Sequence, residues 1–160
     1  GPPGLLLRGD LEIEPGRLIS GNAGLLIAGV IYVKQGEERD FLILDAAMND
    51  LIRPTLYDAY HEIIPVAEPS SGDTMVADVV GPVCESGDYL AKSRTLPKLE
   101  QGDLLATMTA GAYGAVQSGT YNTRPLVPEV LVKGENWALV RPRQSFDELI
   151  GLDRLAPWQD

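Results

Sequence analysis

Seventeen glycines and 12 prolines cut the 160-residue chain into pieces too short for long helices. Between these breaks the apolar residues alternate with a period of two, and a 3.6-residue period hardly occurs. The pattern predicts strands at residues 11–14, 24–33, 41–45, 61–67, 75–81, 104–109, 115–117, 129–132 and 137–141. The last two flank Lys133-Gly134-Glu135-Asn136, a glycine-containing hairpin connection. Two helical pieces are expected. Residues 51–60 are interrupted by Pro54, and residues 146–149 follow Ser145, with Glu148 placed to complete a capping box. Many short strands joined by Gly/Pro turns imply an all-β sandwich or barrel.

Length and composition narrow the function classes. One domain is expected from the length, with 44% hydrophobic and 22% charged residues, so the chain can bury a core. The longest apolar run, residues 25–33, is about half of a membrane span. No basic-then-apolar leader is visible, and cytoplasmic residence is the expectation. A net charge of -10 repels phosphate backbones and anionic membranes, which argues against nucleic-acid and membrane partners. Cys84 is the only cysteine and His61 the only histidine, so neither a disulfide nor a Cys- or His-based metal site is expected.

Four polar islands interrupt the strand pattern. In Glu14-Pro15-Gly16-Arg17, Pro sets a turn, Gly admits close backbone approach, and Arg17 offers a planar fork of donors for a carboxylate or phosphate. The same four residues also read as an ordinary turn with a solvated arginine. Asp45-Ala46-Ala47-Met48-Asn49-Asp50 leads to Arg53-Pro54-Thr55-Leu56-Tyr57, where Arg53 and Tyr57 share one face of a helical turn. They could clamp a carboxylate or simply stack as a surface pair. In Gly81-Pro82-Val83-Cys84-Glu85-Ser86-Gly87-Asp88, a thiol able to donate a proton stands beside a carboxylate able to take an ammonium group. A lone cysteine is also often a small buried hydrophobe. Gly111-Ala112-Tyr113-Gly114, followed by Tyr121-Asn122 and Arg124-Pro125, exposes a ring on a turn or caps the core with it.

Taken in order, the islands E-P-G-R, D-A-x-M-N-D-L-I-R-P-x-L-Y, G-P-V-C-E-S-G-D, G-A-Y-G and Y-N-x-R-P resemble the C-terminal part of the diaminopimelate decarboxylases. These are pyridoxal-phosphate decarboxylases of the alanine-racemase-like fold, and the resemblance covers residues 11–152. It implies a mainly β, C-terminal sandwich or barrel domain preceded by the last strand of an α/β barrel. The implied division is residues 1–17 from that barrel, 18–152 as the β domain and 153–160 as a tail.

The resemblance also implies roles. Glu14, Pro15, Gly16 and Arg17 match the segment lying against the cofactor phosphate, and Arg17 also matches a substrate-binding arginine. Arg53 and Tyr57 match a substrate-binding pair, Glu85 a substrate-binding glutamate, and Tyr113 a tyrosine that contacts cofactor and substrate. Cys84 matches the proton donor. The implied reaction takes meso-diaminopimelate to L-lysine and carbon dioxide, in a homodimer whose Cys-Glu loop enters the partner's site. Glu85, where ornithine-type relatives usually carry aspartate, favours diaminopimelate over ornithine, arginine or carboxynorspermidine. The lysine that holds the cofactor, the cofactor-stacking histidine and the phosphate loop belong to the barrel, and none of Lys34, Lys92, Lys98 or Lys133 lies in a matching motif. His61 reads as the start of a strand with a structural role. The chain by itself is therefore expected to be nearly inert. A sister decarboxylase, or a non-catalytic dimerisation or binding module, is the alternative.

Overall fold

The computed structural model describes residues 15–69 and 71–159; the expected strand at 11–14 and the candidate Glu14 lie outside them. The chain is mainly β, as its punctuation predicts. Eight strands form: β1 (Leu26–Lys34), β2 (Asp40–Leu44), β3 (Ile63–Pro65), β4 (Thr74–Val80), β5 (Tyr89–Pro97), β6 (Leu104–Thr107), β7 (Glu129–Lys133) and β8 (Asn136–Arg141). The first six make one sheet in the order β3-β6-β1-β2-β4-β5, while β7 and β8 pair only with each other. All neighbours are antiparallel except β2 and β4.

Alternation drives the sheet to curl. Ala28 and Val30 of β1, Leu42 and Leu44 of β2, Ala77 and Val79 of β4, Leu90 and Leu96 of β5 and Leu105 of β6 point to one interior and are buried together. Each fully buried leucine contributes about 1.5–3 kcal/mol. The two edge strands approach each other to form a nearly closed barrel. There Arg94 on β5 donates from Nη1 to the His61 carbonyl, just before β3, at 3.0 Å, and its guanidinium lies 4.1 Å from the Tyr60 ring centroid.

Strand β5 escapes the period-two reading for a physical reason. Its register against β4 shifts between Ala77 and Val79, where Ser93 takes a left-handed backbone (φ 47°). The buried Asp78 carboxylate compensates, accepting from Ser93 N–H at 2.7 Å and from Arg39 Nη1 at 3.1 Å. A bulge inserts a residue and breaks the alternation.

Three other expectations are corrected. Residues 115–117 form a 3₁₀ turn, Ala115–Gln117, not a strand, because Gln117 N–H bonds Gly114 O and Ser118 Oγ bonds Ala115 O within the segment. The helix expected over 51–60 is α2, Arg53–Tyr57: Pro54 fits only its first turn, and Asp58 ends it in the left-handed conformation. The strand expected over 61–67 shortens to β3, which ends at Pro65, a residue with no N–H for the ladder. One turn of helix at α1 (Arg17–Ser20) was not anticipated. The capping box at Ser145 forms as expected and starts α3 (Phe146–Ile150), with each of Ser145 and Glu148 bonding the other's backbone N–H.

Asp78→Ala leaves the Ser93 N–H without a partner at the bulge and is expected to cost about 1–3 kcal/mol. Urea denaturation of the two proteins checks this; an unchanged midpoint would show that the bulge holds itself.

Candidate active site

The site residues come from four segments that the sheet brings to one end. Pro15 and Gly16 open α1: Leu18 N–H bonds Pro15 O at 2.7 Å, and Gly16 takes φ 37°, ψ -114°, a conformation for which glycine is suited. The chain then crosses the segment after β6 at very short range. A Cβ at Gly24 would lie 2.6 Å from Gly111 Cα, and Ala110 N–H bonds Gly24 O at 2.8 Å. This contact delivers the G-A-Y-G turn to α1. Tyr113 sits there with a left-handed backbone (φ 59°), which is uncommon for an aromatic residue, and a Cβ on Gly16 would stand 3.4 Å from its hydroxyl.

Helix α2 supplies Arg53 and Tyr57 from one face, as their spacing predicts. The Arg53 guanidinium lies 5.8 Å from the ring centroids of both Tyr57 and Tyr113, the outer range of a cation–π contact. Arg17 Nε and Arg53 Nε are both buried with no hydrogen-bond partner. The ion pairs among the described residues use Arg39, Arg124 and Arg141, so no carboxylate there neutralises either cation. Two half-buried guanidinium groups without a carboxylate partner among the described residues form an arrangement that favours an anionic ligand.

His61 lies beneath this cluster, 1% exposed. Its Nδ1 is 2.9 Å from Met108 O, which can only accept, so Nδ1 carries the proton. Burial holds the imidazole below its ordinary pKa; the Met108 bond opposes this, and the charges of Arg17 and Arg53 add to the depression.

Cys84 and Glu85 form a second centre. Both are exposed, on a loop that returns to β5 through Gly81 N–H to Asp88 O at 3.1 Å. The Glu85 carboxylate accepts from Gly87 N–H at 3.2 Å and from the Tyr121 hydroxyl at 3.3 Å. Accepting that bond and bearing a negative charge, Glu85 raises the Tyr121 phenol above its ordinary pKa. No hydrogen bond or ion pair joins Cys84 or Glu85 to Arg53, Tyr57 or Tyr113 among the described residues. Helix α2 also reaches this loop, where the Thr55 hydroxyl donates to Gly87 O.

The residues holding the two centres in place were not legible as such. Asp88, buried, accepts from Val83 N–H at 2.6 Å and Met48 N–H at 2.7 Å, tying the cysteine loop to the segment after β2. Asn49 donates from Nδ2 to Gly119 O at 2.9 Å and Tyr121 O at 2.8 Å, which places Tyr121 over Glu85. Asp50 takes the Ala47 N–H at 2.9 Å and faces Arg124 at 3.7 Å. Burial raises the Asp50 carboxyl above its ordinary pKa, opposed by the Ala47 bond and then by Arg124. The only signal in the sequence was the crowding of small polar residues between apolar neighbours, which does not say what they bind. No helix is long and apolar enough to cross a membrane, and no metal-binding group of three His, Cys, Asp or Glu side chains occurs, among the described residues.

Comparison with known proteins is consistent with this arrangement. Residues 18–111 match the family described as pyridoxal-dependent decarboxylase, C-terminal sheet domain. The diaminopimelate decarboxylase of Zymomonas mobilis is 51% identical over 148 residues, 92% of this chain and 35% of the relative. That of Vibrio cholerae is 50% identical over 150 residues, 92% of this chain and 36% of the relative. The chain thus spans about a third of the length of the curated relatives it matches. A solved M. jannaschii diaminopimelate decarboxylase in complex with L-lysine superposes with a TM-score of 0.85 at 35% identity, over 89% of this chain and 32% of that one.

Two outcomes follow from the geometry. Asp88→Ala is expected to cost about 1–3 kcal/mol and to speed amide hydrogen exchange at Val83 and Met48 more than at the β1 amides. Equal protection in both proteins would remove Asp88 from its tethering role. For His61, the unfolded ring takes up its proton first as pH falls, because the folded pKa is the lower one. Stability is therefore lost as pH drops below about 6.5, by up to about 1.4 kcal/mol per pH unit, until the folded ring also titrates. Urea midpoints between pH 7.5 and 5 should fall less steeply for His61→Gln than for the unaltered chain.

Proposed function

Since the chain belongs to the pyridoxal-dependent decarboxylases through their C-terminal sheet domain, we propose that it is the substrate-binding and proton-donating part of a diaminopimelate decarboxylase. The reaction is loss of one carboxylate from meso-diaminopimelate, giving L-lysine and carbon dioxide, as a step of cytoplasmic lysine biosynthesis. The observation that carries this reading is Arg17 and Arg53, each with a buried Nε and no carboxylate partner among the described residues, Arg53 lying beside Tyr57 and Tyr113. In a chain of net charge -10, such a pair suits a substrate bearing carboxylates.

The residues fit a pyridoxal-phosphate site at its phosphate end. Gly16 offers backbone without a side chain close to the Tyr113 hydroxyl, with Arg17 next in the chain. Pro15 fixes the turn, and Glu14 precedes it in sequence. The cofactor, when bound, supplies the electron sink that lets the carbon–carboxylate bond break. Around it, Arg17 and Arg53 hold the remote carboxylate, and Tyr57 and Tyr113 line the substrate's path. Glu85 takes the distal ammonium group; its two existing hydrogen bonds leave lone pairs free. Cys84 delivers its thiol proton to the carbon that has lost the carboxylate.

Cys84 and Glu85 are exposed and unconnected to the arginine cluster, which supports a homodimer in which this loop completes the partner's site. An N-terminal barrel would supply the cofactor-holding lysine. The β7–β8 hairpin supports further chain contacts, since Val130, Leu131, Val132, Trp137, Leu139 and Val140 are each at least half exposed.

The test is carbon dioxide release from meso-diaminopimelate with pyridoxal phosphate. It compares this chain alone with the chain co-expressed with the N-terminal two thirds of the Z. mobilis relative. Activity is expected only in the assembled pair; activity of the chain alone would overturn the reading. In that pair, Cys84→Ala should lower kcat by about 10²–10⁴-fold with little change in KM, because the proton moves in the chemical step. Arg53→Ala should raise KM chiefly; an unaltered KM would remove its carboxylate contact. Ornithine offered in place of meso-diaminopimelate should release little carbon dioxide.

A further inference from the structure

Tyr121 is half exposed, yet its segment is held by three hydrogen bonds to one buried residue. Asn49 donates from Nδ2 to Gly119 O at 2.9 Å and to Tyr121 O at 2.8 Å, and its backbone carbonyl accepts from Gly119 N–H at 3.0 Å. Past the ring, Asn122 and Thr123 both take left-handed backbones (φ 57° and 56°), which is rare for a β-branched residue. Arg124 closes the segment by donating from Nη2 to Asp45 O at 2.8 Å. Residues 119–124 are thus strapped at both ends to the 45–50 stretch. What this strapping presents is the Tyr121 hydroxyl, which donates to Glu85 Oε2 at 3.3 Å.

We propose that Tyr121 is a positioning residue for Glu85: its hydroxyl fixes the carboxylate in the orientation that receives the distal ammonium group of the substrate. This rests on the substrate-binding reading above. A glutamate exposed on a loop has several rotamers, and binding weakens when a ligand must select one of them. Here both carboxylate oxygens are already engaged. Gly87 N–H donates to Oε1 at 3.2 Å from within the loop, and Tyr121 donates to Oε2 from outside it. Each oxygen keeps a further lone pair for an N–H of the substrate. Both donors are neutral, and no ion pair among the described residues uses Glu85, so its negative charge stays available to an ammonium group. Tyr121 belongs to the same chain as Cys84 and Glu85 and accompanies them into whichever site their loop completes.

In the assembled pair, Tyr121→Phe keeps the ring and removes only the hydroxyl. It should raise KM for meso-diaminopimelate roughly two- to tenfold, with a smaller change in kcat. Made on top of Glu85→Ala, the same substitution should leave KM where Glu85→Ala alone puts it, because the two residues act as one unit. An unaltered KM for Tyr121→Phe overturns the proposal. An equal fold-change in both backgrounds also overturns it, since Tyr121 would then act without Glu85. The contact itself is read from ¹³C spectra of the tyrosine rings of this chain, in which Tyr121→Phe identifies the resonance. Glu85 chiefly, by accepting the bond and by its charge, and then burial and Cys84 hold this phenol above its ordinary pKa. Glu85→Ala should therefore lower its titration midpoint, and an identical midpoint overturns the proposal. An assembled pair that releases no carbon dioxide before any substitution would instead refute the functional reading, and the spectra would still decide the Tyr121–Glu85 contact.

Discussion

A single buried carboxylate joins the two halves of the candidate site. Asp88 accepts one N–H from the cysteine loop and one from the segment after β2, so neither can shift without stranding a donor in the interior. Gly81 makes room for it: a Cβ there would collide with the Asp88 carboxylate and with Ala47 Cα. From the same six-residue stretch, Asn49 and Asp50 reach the 119–124 segment, and α2 follows directly. The M-N-D-L-I-R-P run thus places Arg53 on one side and Tyr121 with Glu85 on the other, from one rigid base.

The arginines divide into those paired with acids and those left unpaired among the described residues. Arg39, Arg124 and Arg141 are neutralised by acids on neighbouring segments, two of which, Asp78 and Asp50, are buried. Arg17 and Arg53 are left with aromatic and backbone surroundings among the described residues. The surplus of acids elsewhere limits what a polyanion can gain from approaching the chain as a whole.

Much of the fold was legible because alternation is a local signal. β1, β2, β4, β6, β7 and β8 could each be placed from their own residues. What escaped depended on contacts distant in sequence. β5 is disguised by a bulge whose partner, Asp78, lies 15 residues away from Ser93. Residues 115–117 have strand-like residues but bond to themselves. The Arg53–Tyr57 pairing was readable from helical spacing, but the arrival of Tyr113 beside it required the Gly24–Gly111 approach. Asn49 and Asp88 were quoted for their motifs, yet their partners could be found only in three dimensions.

The parallel pairing of β2 with β4 has a kinetic consequence. Asp40 meets Ala77 across a crossover that contains α2, β3 and the polar segment from Asp45 to Asp50. Closing that loop costs chain entropy before its contacts repay it, so the pair belongs to the slow part of folding. Arg53, Tyr57 and His61 are carried within the loop and reach their places only as it closes. Placement of Arg53, Tyr57 and His61 is thereby coupled to completion of the sheet.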